Sequence, residues 1–104
     1  MATSPATIEH ILDTLSPLRL THRRMFGEYA LYLDGIVVAF VCDDTLFIKP
    51  TASALAILPD AERGPAYPGS KDDIIGSEAL DDPDLCTRAL RAVAAPPPKR
   101  RKNP

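Results

Sequence analysis

A chain of 104 residues supports one domain, able to bury roughly 60 to 70 % of its unfolded surface, which leaves room for one modest core. Its 45 % hydrophobic and 25 % charged residues are those of an ordinary globular protein; no stretch nears the roughly 20 apolar residues of a membrane span, and Met1 to Pro17 lacks a signal-peptide pattern. Of 12 basic and 14 acidic residues, four basic ones (Lys99, Arg100, Arg101 and Lys102) stand near the end, so the body carries 8 against 14, about −6, a field that repels phosphates.

In chain order, Ser4 followed by Pro5 is a helix start, the hydroxyl capping free amides and the proline occupying the first turn. Ile8, Ile11, Leu12 and Leu15 recur at helical spacing, which predicts a helix over Pro5 to Leu15 that Pro17 stops. Pro17 to Leu20 reads as a connector. The period then changes: Asp34-Gly35, a dipeptide suited to a type I′ turn, separates Glu28–Leu33 from Ile36–Cys42, two runs rich in β-branched and aromatic residues. This hairpin predicts Leu33 opposite Ile36, Leu31 opposite Val38 and Tyr29 opposite Phe40, an apolar row turned towards the helices. A turn at Asp43-Asp44 returns the chain as Thr45 to Lys49, giving a three-strand meander. Its middle strand is apolar at every position, so both faces call for cover, and a second copy of the chain is one candidate to supply it.

Thr51 caps a short helix, Ala52 to Leu58, ended by Pro59. Asp60 to Gly69 reads as loop and Asp73 to Gly76 as a short strand. Asp82-Pro83 opens a last helix reaching about Ala95, with Asp82 and Asp84 at the positive end of its dipole and Arg88 and Arg91 towards the negative end. Residues 1–95 thus form the predicted domain. Residues 96–104, Pro96-Pro97-Pro98 and the basic run, cannot extend the helix and read as a disordered tail.

Few groups are available for catalysis. His10 lies off the apolar stripe, and His22 reads as a strand-edge or loop residue. Asp43-Asp44, Asp72-Asp73 and Asp81-Asp82 fall where turns and caps are expected. Cys42 and Cys86 form no CxxC and have no histidine beside them, so each reads as a buried free thiol, and the chain as cytoplasmic. No HExxH, Walker A, GxGxxG or GxSxG pattern occurs. The expectation is no enzyme, no metal and no cofactor. Arg23 and Arg24 with Phe26, Tyr29 and Tyr32 suggest a nucleic-acid surface, but strand alternation turns them to opposite faces. Direct nucleic-acid contact is left to the tail.

The run from Arg23 to Thr51 resembles the amino-terminal domain of the TfoX/Sxy family. Arg24, Met25, Phe26, Gly27, Tyr29, Leu31, Tyr32, Asp34, Gly35, Asp44, Leu46, Phe47 and Lys49 follow its pattern, and Pro65 to Lys71 is similar to a segment of a short stand-alone branch. Two departures stand out: Glu28 replaces a glycine, and the late strand is reduced to Asp72 to Ile75. The resemblance implies an α+β two-layer sandwich of order α-β(3)-α-β(2)-α with an antiparallel sheet, similar to secretion chaperones and able to dimerise. The added strand would lie near Ala66-Tyr67.

By the same resemblance, the function is that of a regulator of natural competence acting through transcription factors, although the second domain of full-length members finds no room here. The expected role is a non-enzymatic, protein-binding regulatory domain with a protein partner, a transcription factor among the candidates, and a homodimer as its assembly. Arg24, Met25, Phe26, Tyr29 and Tyr67 are the candidate interaction residues. Alternatives are an accessory nucleic-acid binder using Lys99, Arg100, Arg101 and Lys102, and a small-ligand domain with a pocket around Arg24, Tyr29 and Tyr67.

Overall fold

A computed structural model describes residues 3–25 and 28–95. Phe26 and the expected tail, with Lys99, Arg100, Arg101 and Lys102, lie outside the described residues. The element order is α1 (Pro5–Thr14), β1 (Leu20–Met25), β2 (Glu28–Leu33), β3 (Ile36–Cys42), β4 (Thr45–Ile48), α2 (Ala52–Ile57), β5 (Arg63–Pro65), β6 (Asp72–Ile75), a 3₁₀ turn (Ala79–Asp81) and α3 (Pro83–Ala94). The α+β class holds, and the sheet is antiparallel throughout.

The helices start where their caps place them. Ser4 Oγ accepts from the Thr7 N–H at 3.3 Å, Thr51 Oγ1 from Ala54 at 3.2 Å and Asp82 Oδ1 from Leu85 at 3.3 Å. Each satisfies an amide that the first turn leaves free. Proline follows the cap in α1 and α3, where its missing N–H removes no helical bond.

The strand count is corrected: four strands, not three, precede α2. The addition is β1, whose residues pair with β2 from Leu20↔Leu33 to Met25↔Glu28. Its four central residues are exposed, so it carries no apolar alternation by which a strand is read. The strand expected near Ala66-Tyr67 is β5, slightly earlier. In space the six strands run β1-β2-β3-β4-β6-β5, so β1 and β5 are the edges.

The hairpin turn forms as expected, with positive φ at Asp34 (54°) and Gly35 (81°). The register beyond it does not. Leu33 opposes Ile36 and Tyr32 opposes Val37, but Leu31 then opposes Ala39, Ala30 opposes Phe40 and Tyr29 opposes Val41. Val38 is the extra residue of a β-bulge. Because side chains alternate, one inserted residue moves everything past it to the other face. Val38 and Ala39 therefore both enter the core, while Phe40, expected towards the helices, stands on the opposite face.

One core joins the helix-facing side of the sheet to all three helices. Ile8, Ile11 and Leu15 come from the α1 region, Leu31, Val41 and Ile48 from the sheet, and Cys86, Ala89 and Leu90 from α3. Between them α2 and α3 pack on each other, and α3 lies over β2 and β3. Ala30, Cys42 and Phe47 are also buried but stand outside that core cluster. Alternation puts them with Phe40 on the side that carries no helix among the described residues. Among the described residues no helix is long and apolar enough to cross a membrane.

Candidate functional site

The helix-free side of the sheet carries an apolar groove of about 650 Å³ lined by Met25, Glu28, Tyr29, Phe40, Cys42 and Tyr67. Met25 and Glu28 are cross-strand partners, and Phe40 stands opposite both Ala30 and Phe47. Phe40 belongs to this wall only because of the bulge at Val38. Tyr67 arrives from the loop between β5 and β6. There Tyr67 to Ser70 form a tight turn, the Ser70 N–H donating to the Tyr67 carbonyl at 3.0 Å with Gly69 at φ +89°. A Pro-Gly pair at the two central positions is the type II arrangement. The Tyr67 N–H in turn donates to Ser70 Oγ at 3.3 Å, so the tyrosine is held at its base while its side chain stays 59 % exposed.

Of the expected interaction residues, the groove unites Met25, Tyr29 and Tyr67. Arg24 is not among the lining residues; it stands opposite Tyr29 in β2. Tyr29 is only 8 % exposed and belongs to the core, its ring 5.8 Å from that of His22. Packing explains Tyr29; it explains Tyr67 much less. Phe40 and Cys42 are groove residues that sequence reasoning missed, and the signal for Phe40, a bulge, has no local signature in Ile36–Cys42.

One end of the groove is built by Glu28. Its Oε1 accepts from Thr3 Oγ1 and from the Asp43 N–H at 3.1 Å. Thr3 Oγ1 also lies 3.2 Å from the Val41 carbonyl and accepts the Asp44 N–H at 3.2 Å. Asp44 Oδ1 completes the latch, accepting from Ser4 N–H at 2.9 Å and Thr7 Oγ1 at 2.8 Å. Asp43 and Asp44 both have positive φ, 51° and 59°, a conformation that aspartate tolerates better than most residues but that still needs support. Thr3 is 4 % exposed, and its valine isostere would strand the Asp44 N–H. Thr3→Val is expected to cost about 1 to 3 kcal/mol in chemical denaturation; an unchanged midpoint would show that the latch does not hold the turn.

The same bonds hold the Asp44 carboxyl below its ordinary value, chiefly the Ser4 N–H and then the Thr7 hydroxyl. A lowered folded-state value means that this stabilisation is complete above the ordinary aspartate range and is lost as pH falls through the lowered value. Melting temperatures of wild type and Asp44→Asn should therefore differ most near neutral pH and converge in acid. A gap that stays constant down to about pH 3 would contradict this.

A model of the TfoX N-terminal domain family matches residues 11–95. The chain belongs to the TfoX N-terminal domain family. A protein described as an uncharacterized 12.7 kDa protein in the trpE 5′ region of Spirochaeta aurantia is 39 % identical over 105 residues, covering 98 % of this chain and 91 % of that relative. No solved structure gives a significant match.

The groove of this TfoX N-terminal domain is walled mainly by apolar, aromatic and sulfur-bearing side chains. Among the described residues no three His, Cys, Asp or Glu side chains are grouped to hold a metal. Both thiols are free and buried. Burial pushes Cys86 up to about 12, and burial, followed by Glu28 and Asp73, raises Cys42. Since thiolates are the reactive form, iodoacetamide at mildly alkaline pH should leave Cys86 unmodified in the folded protein and label it only on unfolding. Rapid native-state labelling of Cys86, read by mass spectrometry, would contradict its placement in the core.

Proposed function

We propose that this chain is a non-enzymatic, protein-binding regulatory domain of the cytoplasm, in keeping with its TfoX family, with the helix-free sheet face as its working surface. The observation that carries the reading is the groove between Met25, Phe40 and Tyr67: aromatic and sulfur-bearing side chains line a face that no helix covers among the described residues, and such residues dominate protein interfaces. A transcription factor is the partner class that the family suggests, and homodimerisation through the same face is the accompanying expectation.

The test is affinity capture from the cytoplasm of the producing organism with wild type and with Met25→Ala/Tyr67→Ala. A specific partner retained by wild type and lost by the variant supports the reading. Equal recovery by both would remove the groove from consideration. Sedimentation at micromolar concentration reads the dimer separately, and a monomer there would end that part of the proposal.

The volume and apolar lining of the groove also favour a second reading, a small-ligand site. Native mass spectrometry of the purified protein would reveal a retained non-covalent molecule, displaced in the Tyr67→Ala variant.

A further inference from the structure

The two edges of the sheet differ. At one, β5 is three residues long and includes Pro65; a short strand with proline is an edge closed to further pairing. At the other, β1 has six residues, Leu20–Met25, no proline, and four exposed central positions. Among the described residues β1 pairs with β2 alone, so along its outer side every second residue presents an N–H and a C=O that no strand takes.

Charge says what this open edge accepts. Arg23 and Arg24 stand opposite Ala30 and Tyr29 in β2, and His22 stands opposite Leu31, so no carboxylate faces them across the ladder. The one acidic residue of β2, Glu28, is engaged by Thr3 and Asp43. Beside the strand lies a second depression, about 290 Å³, lined by Thr21, His22, Arg23, Tyr32 and Gly35, with its charged lining basic. The edge is thus cationic in a body whose remaining charge is acidic.

We infer that β1 is a docking edge for an extended acidic segment of a partner protein, which adds antiparallel or parallel to β1 as a seventh strand, with adjacent carboxylates meeting Arg23 and Arg24 on the two faces. Backbone pairing gives the affinity and the carboxylates give the selectivity. A second copy of this chain is a poor occupant, because β1 against β1 would set Arg and His beside Arg and His. Nucleic acid supplies anions but no complementary peptide backbone, and the acidic body opposes it. The inference rests on the reading of the chain as a protein-binding domain, but not on the groove.

The probe is the capped, fluorescently labelled peptide Thr-Val-Glu-Glu-Val-Thr, titrated with the full chain at low salt and read by anisotropy and by amide hydrogen exchange. Binding by about 1 mM, weaker by roughly tenfold on moving to about 0.3 M salt, and new protection at alternate β1 amides are expected. The same peptide N-methylated at both valines keeps its charge but loses its backbone donors, and should bind at least about tenfold more weakly. Arg23→Glu/Arg24→Glu should lose the acidic peptide and gain the Lys-Lys analogue, which shows that the variant is folded; Tyr67→Ala should leave edge binding unchanged while affecting the groove.

Equal binding of the N-methylated peptide, protection absent from β1, or no binding at all would overturn strand addition. Tighter competition by a single-stranded oligonucleotide at the same arginines would overturn the choice of a protein partner.

Discussion

Leu90→Ala should destabilise the domain by about 2 to 5 kcal/mol, a large share of the roughly 5 to 15 kcal/mol that a domain of this size has in total. Leu90 is fully buried at the centre of α3, the helix that meets α2, β2 and β3. Removing its isobutyl group loses the transfer energy of those carbons and leaves a cavity between the layers that neither can close alone. Urea denaturation followed by circular dichroism should show a lower midpoint with an unchanged slope. A loss below about 1 kcal/mol would mean that α3 does not pack on the sheet as described.

Gly76→Ala is the second large effect, about 1 to 3 kcal/mol from overpacking. A Cβ at this position would lie 2.9 Å from Leu46 Cδ2 and 3.1 Å from Ile48 Cδ1, and both leucine and isoleucine are buried in the core. The backbone cannot easily retreat, because the Gly76 N–H donates to the Leu46 carbonyl at 2.8 Å. Melting should fall by several degrees, about 4 to 8 °C per kcal/mol for a domain of this length. Adding Leu46→Val should recover part of the loss, since it removes carbon from the point of contact; independent, additive losses in the double variant would contradict a direct clash. Read from sequence, Gly76 only weakens a strand. Its value lies in the close approach that it permits.

How far the fold can be read in advance depends on where each signal lies. Ser4-Pro5, Thr51 and Asp82-Pro83 announce helices because a cap and its amide are three residues apart. Asp34-Gly35 announces a hairpin for a similar reason. By contrast, β1 is written in polar residues: His22, Arg23 and Arg24 gain nothing from burial, and the strand exists because β2 offers it an edge. The bulge at Val38 is equally silent, since Ile36–Cys42 is apolar on either register and only cross-sheet packing chooses.

The candidate site divides in the same way. Met25, Tyr29 and Tyr67 line one groove, whereas Phe40 depends on the bulge. Arg24 does not line the groove. The part played by Glu28 could not be read locally, because its partners, Thr3 and Asp43, lie 25 and 15 residues away.

That last distance bears on how the chain comes together. The helix α1 is ten residues long, too short to persist by itself in water, and its tethers to Asp44 span 40 and 37 residues. A growing chain therefore cannot secure α1 until the β3–β4 turn has been made, so α1 is fixed after strands that follow it in the chain. Pulse-labelled hydrogen exchange during refolding should find the hairpin amides of β2 and β3 protected before those of Ile8 and Ile11.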